Sequence, residues 1–341
     1  MKAACIFFFR LIFITVFLFG GLISAADRNG PREVPNPRKK EIPRITLKNI
    51  SPPFKNYEYY RDYKEYGFQF KARSFNIINA WWLAEASTLV YADKNFVKTQ
   101  FWRVGLRDVK FFDHLSTQCY VASNDKFAII AFRGSEIWKR KEKIDFSKIF
   151  ADLKADVDIR LTDWPGGGKV HRGFKDALDE VWLDLAGYIR QLNDQGCKIW
   201  ITGHSLGAAL ATLAADRYGN VQGVYTFGSP RVGDAAFKKN FTVKAYRIVN
   251  GNDIVTRVPP PGWYKHVGDI KFIDREGNIH DHIIEEEVLA NQPRDELYGL
   301  QNPNLPQKHG SSGLIPDSFK DHVPLLYAIH LWNNVIGTPN Y

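Results

Sequence analysis

The stretch KIWITGHSLGAALATLAA, residues 198–215, decides the reading of this chain. An apolar run, Cys197 to Ile201, stops at Gly203-His204-Ser205-Leu206-Gly207, and an alanine-rich helical run, Leu206 to Tyr218, starts at once. A serine between two glycines at a strand-to-helix junction is the context of a nucleophile elbow. Side chains at 203 and 207 would crowd so tight a turn, and the helix start aims backbone N–H groups at the place where an oxyanion forms. Ala208 and Ala209 let the helix lie close to a sheet.

Outward from this stretch, strands and helices alternate. Ile77 to Tyr91 and Phe174 to Leu192 have helical spacing; Gln118–Ala122 and Phe127–Phe132, joined by a short polar turn, read as a hairpin. Val221–Phe227 and Val243–Val249 read as further strands. Such alternation predicts an α/β fold with a mostly parallel central sheet flanked by helices. A hydrophobic content of 45% suits a packed enzyme core and excludes a disordered or fibrous chain.

The chain divides by composition. Residues 1–26 read as a signal peptide: Lys2 and Arg10, an apolar run from Leu11 to Ile23, then Ser24-Ala25-Ala26 before the cut. An uncleaved membrane anchor is the minor alternative. Residues 27–56, rich in Pro, Arg and Lys, read as a basic leader or linker, and residues 57–341 as one domain. This predicts export to the medium, a periplasm or the secretory lumen. The net charge of +9 comes with no nucleic-acid motif, so no nucleic-acid partner is expected. Removal of residues 1–26 leaves Cys119 and Cys197, one disulfide or two buried thiols. Asn49-Ile50-Ser51 and Asn240-Phe241-Thr242 are glycosylation sequons for a eukaryotic secretory route.

A serine needs a base, and the base an orienting acid; after an elbow serine these follow in the order acid, then histidine. Asp253, in the loop after the 243–249 strand, stands where such an acid belongs. The downstream histidines are His266, His280, His282, His309, His322 and His330. His322 leads because it sits between a polar loop and an apolar helical run; His330 reads as a packing residue, and His280-Asp281-His282 as an exposed turn rather than a metal clip.

Five segments then carry a resemblance: AIIAFRGS (128–135), VHRGF (170–174), ITGHSLGAALATLAA (201–215), VYTFGSPRVGD (224–234) and RIVNGNDIVTRVP (247–259). In this order they resemble the class 3, fungal-type lipases of the α/β-hydrolase fold. The resemblance implies Ser205 as nucleophile, Asp253 as acid and His322 as base. It implies an oxyanion hole from the backbone N–H groups of Ser135 and Leu206, with Arg133 and Gly134 shaping that loop; Arg133 and His171 have no necessary role in triad chemistry and read as structural hydrogen-bonding residues. It implies a lid over 136–154. There Phe146, Ile149, Phe150 and Leu153 share one helical face among Lys139, Arg140, Lys141, Lys143 and Lys148, the pattern of an interfacial helix. The implied activity is serine ester hydrolysis, first of acylglycerols at a lipid–water interface, with phospholipase A1 or soluble-ester esterase activity as the alternative. A non-catalytic lipid-binding protein on the same fold is the remaining reading. No metal or organic cofactor is required by this chemistry.

Overall fold

The structure is a computed structural model of the 341-residue chain and describes residues 38–46, 49–134, 160–285, 315 and 317–337. Residues 1–26, read above as a signal peptide, residues 27–37 and 47–48 of the leader, Ser135, the 136–154 segment and His309 lie outside the described residues. Among the described residues no helix is long and apolar enough to cross a membrane.

An eight-stranded sheet carries the fold. Strands β1 (Asp108–His114), β2 (Thr117–Ser123) and β3 (Phe127–Phe132) form an antiparallel meander at one edge. The chain then makes a small hairpin, β4 (Leu161–Asp163) with β5 (Lys169–His171), and returns through β6 (Lys198–His204), β7 (Gly223–Phe227), β8 (Ala245–Asn250) and β9 (Asp269–Ile273). From β3 to β9 every neighbour is parallel, and a short β10 (Ile279–His280) closes the far edge antiparallel to β9.

Both faces of the sheet are covered, which is why β3 reads as a continuous apolar run, FAIIAF, buried at every position. Alternate residues serve opposite layers. Phe127, Ile129 and Ala131 join Trp200, Tyr225 and Phe227 under helices α1 (Ile77–Leu89) and α7 (Pro324–Gly337). Ala128, Ile130 and Phe132 join Ile199, Ile201 and Val224 under α3 (Arg172–Asp194) and α4 (Leu206–Tyr218). Helix α3 buries Phe174, Leu178, Val181, Leu185, Ile189 and Leu192, one stripe at spacings of three and four. Its first turn is capped by His171, whose Nδ1 accepts from the Phe174 N–H at 3.3 Å. The remaining helices are short: α2 (Lys94–Arg103), α5 (Ala235–Asn240) and α6 (Asp317–Lys320).

The chain divides after Lys39, and the unit from Lys40 to Tyr341 holds the sheet. The body thus begins earlier than the composition of residues 27–56 suggested. The reason is burial: Ile45 and Ile50 sit in an apolar cluster with Ile254, Val255, Phe319 and Val323, and Phe54 packs against it. Cys119 and Cys197 are both free and buried, the two-thiol outcome of the pair of options.

Candidate active site

The parallel strands end on one edge, and the loops that leave that edge carry Ser205, Asp253 and, on a later turn, His322. At the end of β6 the elbow holds Ser205 at φ 60° and ψ −130°, a region that non-glycine residues rarely occupy and that costs on the order of 1–3 kcal/mol. Its glycines are forced. A Cβ on Gly203 would lie 2.2 Å from the Gly207 carbonyl oxygen, and one on Gly207 would lie 2.4 Å from the Phe132 carbonyl oxygen. The Ser205 N–H donates to the Phe227 carbonyl at 3.0 Å, tying the elbow to β7. Leu206 is the first residue of α4, whose first-turn N–H groups have no partner within the helix.

Asp253 follows β8 in the turn Asn250-Gly251-Asn252-Asp253 and caps the 3₁₀ turn Ile254–Arg257 by accepting from the Val255 N–H at 2.9 Å. It is fully buried, at 0% exposure. His322 lies in the turn between α6 and α7, 69 residues further on, and its Nδ1 is 2.9 Å from both carboxylate oxygens of Asp253. That bond fixes Nδ1 as the protonated nitrogen and leaves Nε2 as the ring's acceptor. The Tyr327 hydroxyl, one turn into α7, donates to Asp253 Oδ2 at 2.6 Å and accepts from the Asn250 N–H at 3.2 Å. Asp253 therefore has three donors, a set that fixes the orientation of its side chain.

Close approach leaves no room beside this pair. Gly228, at φ +57°, would place a Cβ 2.6 Å from Asp253 Oδ2 and 2.9 Å from His322 Nδ1. His204, the residue before the serine, braces His322. Its Nε2 donates to the His322 carbonyl at 2.7 Å, and its Nδ1 accepts from the Tyr91 hydroxyl at 3.1 Å. Burial pushes the His204 imidazole well below its ordinary range, and the neighbouring His322 adds to this, so the ring is a neutral strut.

The other histidines fall elsewhere. His266 bonds the Thr256 carbonyl at 2.8 Å and is driven well down by burial with Arg247 and Arg231 nearby. His330 is buried on α7 and lowered to about 4 by that burial. His280 pairs with Asp274 at 2.7 Å, Asp281 with Lys271, and His282 is exposed. Arg133 donates to the Val90 and Ala92 carbonyls at 2.6 and 2.8 Å and to Gln118, structural bonding that pins the end of β3 to the chain after α1. Gly134, the last described residue before Ser135, lies against the elbow: a Cβ there would be 2.7 Å from the His204 carbonyl oxygen. Tyr327 and the bracing roles of His204 and Tyr91 had no sequence signal, because each depends on a partner remote in the chain.

Residues 129–263 match the model of the class 3 lipase family. Over these residues the chain is similar to the class 3 lipases. The class 3 lipase segment includes Ser135, Ser205, Leu206 and Asp253 and ends before His322, which the tertiary structure brings in from α6–α7. The chain is 40% identical to a lipase of Rhizomucor miehei over 176 residues, 46% of this chain and 45% of that protein. It is 36% identical to the secreted mono- and diacylglycerol lipase 1 of Fusarium solani over 124 residues, 34% of this chain and 37% of that protein. The chain thus spans less than half the length of these curated relatives. The solved structure of a mutant form of MDLA from Penicillium cyclopium superposes with a TM-score of 0.50 at 20% identity, over 74% of this chain and 95% of that one. That likeness is one of fold: the mostly parallel sheet flanked by helices is an α/β-hydrolase fold.

Proposed function

We propose that the protein is an exported serine ester hydrolase whose substrates are acylglycerols. The observation that carries this is the buried Asp253–His322 pair at the same sheet edge as a serine held in an elbow conformation. In this reading Ser205 Oγ attacks the ester carbonyl while His322 Nε2 takes its proton. The imidazolium formed is stabilised by Asp253, and the oxyanion by the N–H groups of Leu206 and Ser135. His322 then protonates the leaving alcohol, and a water activated by the same nitrogen releases the fatty acid. The apolar and basic residues of 136–154 form the lid and the contact with the lipid surface, and residues 1–26 direct export. The names of the two relatives, a lipase and a secreted mono- and diacylglycerol lipase, support this choice of substrate.

The test is titration of released acid by the wild type and Ser205→Ala on a soluble short-chain ester, a triacylglycerol emulsion and phospholipid vesicles. The expected result is strongest activity on the emulsion and a loss of at least about 10³-fold in the variant. Preference for vesicles would make the enzyme a phospholipase. Equal activity on soluble and aggregated ester would sink the lid assignment. Undiminished hydrolysis by Ser205→Ala would overturn the nucleophile.

A further inference from the structure

Asp253 and His322 stand on separate turns, 69 residues apart in sequence, and the bond between them is only as well aimed as those turns are mutually fixed. The residues just before each of them are bonded to one another. The Asn252 N–H donates to Asp321 Oδ2 at 2.8 Å. The same aspartate gives its carbonyl to Asn250 Nδ2 at 3.0 Å, so Asp321 holds the acid turn at two points. Gly251, at φ +44°, leaves the space the carboxylate fills, since a Cβ there would lie 2.7 Å from Asp321 Oδ2. Asn252 is held from its other side by Arg257, which donates to Asn252 Oδ1 at 2.6 Å. The Asp321 N–H in turn donates to the Asp317 carbonyl at 2.9 Å, anchoring the residue on α6.

We propose that Asp321 is a positioning residue that latches the turn carrying Asp253 to the turn carrying His322. This rests on the reading of Ser205, Asp253 and His322 as the reacting triad. The latch acts through the backbone of Asn252, and its effect is on the aim of Asp253 at the imidazole. The charges around it are Asp253 across the turn, Asp317 and Lys320 on α6, and Arg257 one bond away through Asn252. Burial pushes the Asp321 carboxyl up to about 6 against the pull of the Asn252 N–H, and Asp253 and Asp317 push the same way. The ordinary value is 3.8, so between the two the folded chain keeps a proton that the unfolded chain has lost. The folded state is therefore favoured at the acid end of this window and loses that increment as pH rises through it.

The experiment compares wild type, Asp321→Ala and Asp321→Asn, with turnover counted per Ser205 labelled by a fluorophosphonate so that unfolded protein does not enter the rate. The latch predicts that Asp321→Ala loses about 10–100-fold in kcat with KM within about twofold, the scale expected from a small misplacement of a catalytic group. Asp321→Asn, which keeps an acceptor for the Asn252 N–H, should hold kcat within about threefold. Its melting temperature relative to wild type should rise as pH climbs from 4 to 7. The proton NMR resonance of the His322 Nδ1–H, assigned with His322→Ala, is the second readout: it should broaden or vanish in Asp321→Ala and persist in Asp321→Asn. Wild-type kcat and an unchanged resonance in Asp321→Ala overturn the latch, as does a loss confined to melting temperature. Failure of the fluorophosphonate to label wild-type Ser205 would instead overturn the triad reading, and the resonance would still decide whether Asp321 aims the pair.

Discussion

At the scale of single residues the site is defined by what cannot be added to it. Gly203, Gly207 and Gly228 each face a heavy atom closer than any Cβ tolerates, and the atoms they face are the backbone of the elbow, the backbone at the end of β3 and the Asp253–His322 pair itself. The first two were legible, because a serine flanked by glycines at a strand end has a steric reason to be so flanked. Gly228 was not: its neighbours come from positions 253 and 322, and nothing local to the 224–234 segment reports them. Gly228→Ala should therefore cost activity out of proportion to stability. A methyl 2.6 Å from Asp253 Oδ2 has to push the carboxylate or the imidazole aside. We expect kcat/KM to fall by about 10²-fold or more, the scale of a displaced catalytic group. An Asp–His pair as active with alanine at 228 as with glycine would show that the close packing there is incidental.

At the scale of elements, α1 carries a charge into the core. Glu85 is completely buried; the Tyr57 hydroxyl and the Trp81 indole N–H donate to its Oε1 at 2.8 Å each. Lys40 lies 3.7 Å from the same oxygen with its side chain only 10% exposed, and its Nζ donates to the Tyr57 hydroxyl and the Glu58 carbonyl. Burial raises the Glu85 carboxyl and lowers the Lys40 ammonium, so for both groups desolvation outweighs the attraction between them. Removing one partner is still worse than keeping both. Lys40→Met should destabilise the fold by about 3 kcal/mol near neutral pH. The defect should shrink as pH falls, since Glu85, raised further without its lysine, takes up a proton in the folded state before the unfolded chain does. Urea unfolding of both proteins at pH 5 and pH 8 measures this; an equal defect at both values would assign the loss to packing alone. The sequence marked Ile77–Tyr91 as a helix, but a glutamate in WWLAEAS gave no sign that its partner was a lysine 45 positions earlier.

At the scale of the whole molecule, the segment from Lys40 to Phe54 is part of the body and touches the machinery from behind. Ile45 and Ile50 share a cluster with Ile254 and Val255, beside Asp253, and with Val323, beside His322. A chain that begins at Lys40 should keep the activity and melting temperature of one that begins at Asp27. A chain that begins at Tyr57 loses both isoleucines, Phe54 and the Lys40 ammonium. It should melt at least about 5 °C lower and turn over more slowly even where it is folded. Equal melting temperatures and rates for the two shortened chains would show that the arm contributes nothing to the turns it covers.

What the sequence determined by itself is everything written in local spacing. That includes the alternation that builds a parallel sheet, the elbow with its two glycines, the aspartate turn after a strand, and the likeness to class 3 lipases over residues 129–263. These are short-range properties, set by steric limits and by which faces must be buried. The sequence put His322 ahead of the other downstream histidines, and only the tertiary structure showed its Nδ1 against Asp253. The tertiary structure also decided that Tyr327, His204 and Asp321 hold that meeting in place, and that the charged arm belongs to the core. Each of those facts is a contact between groups tens to hundreds of positions apart. Their geometry is fixed by the packing of the layers between them, and no pattern along the chain records it.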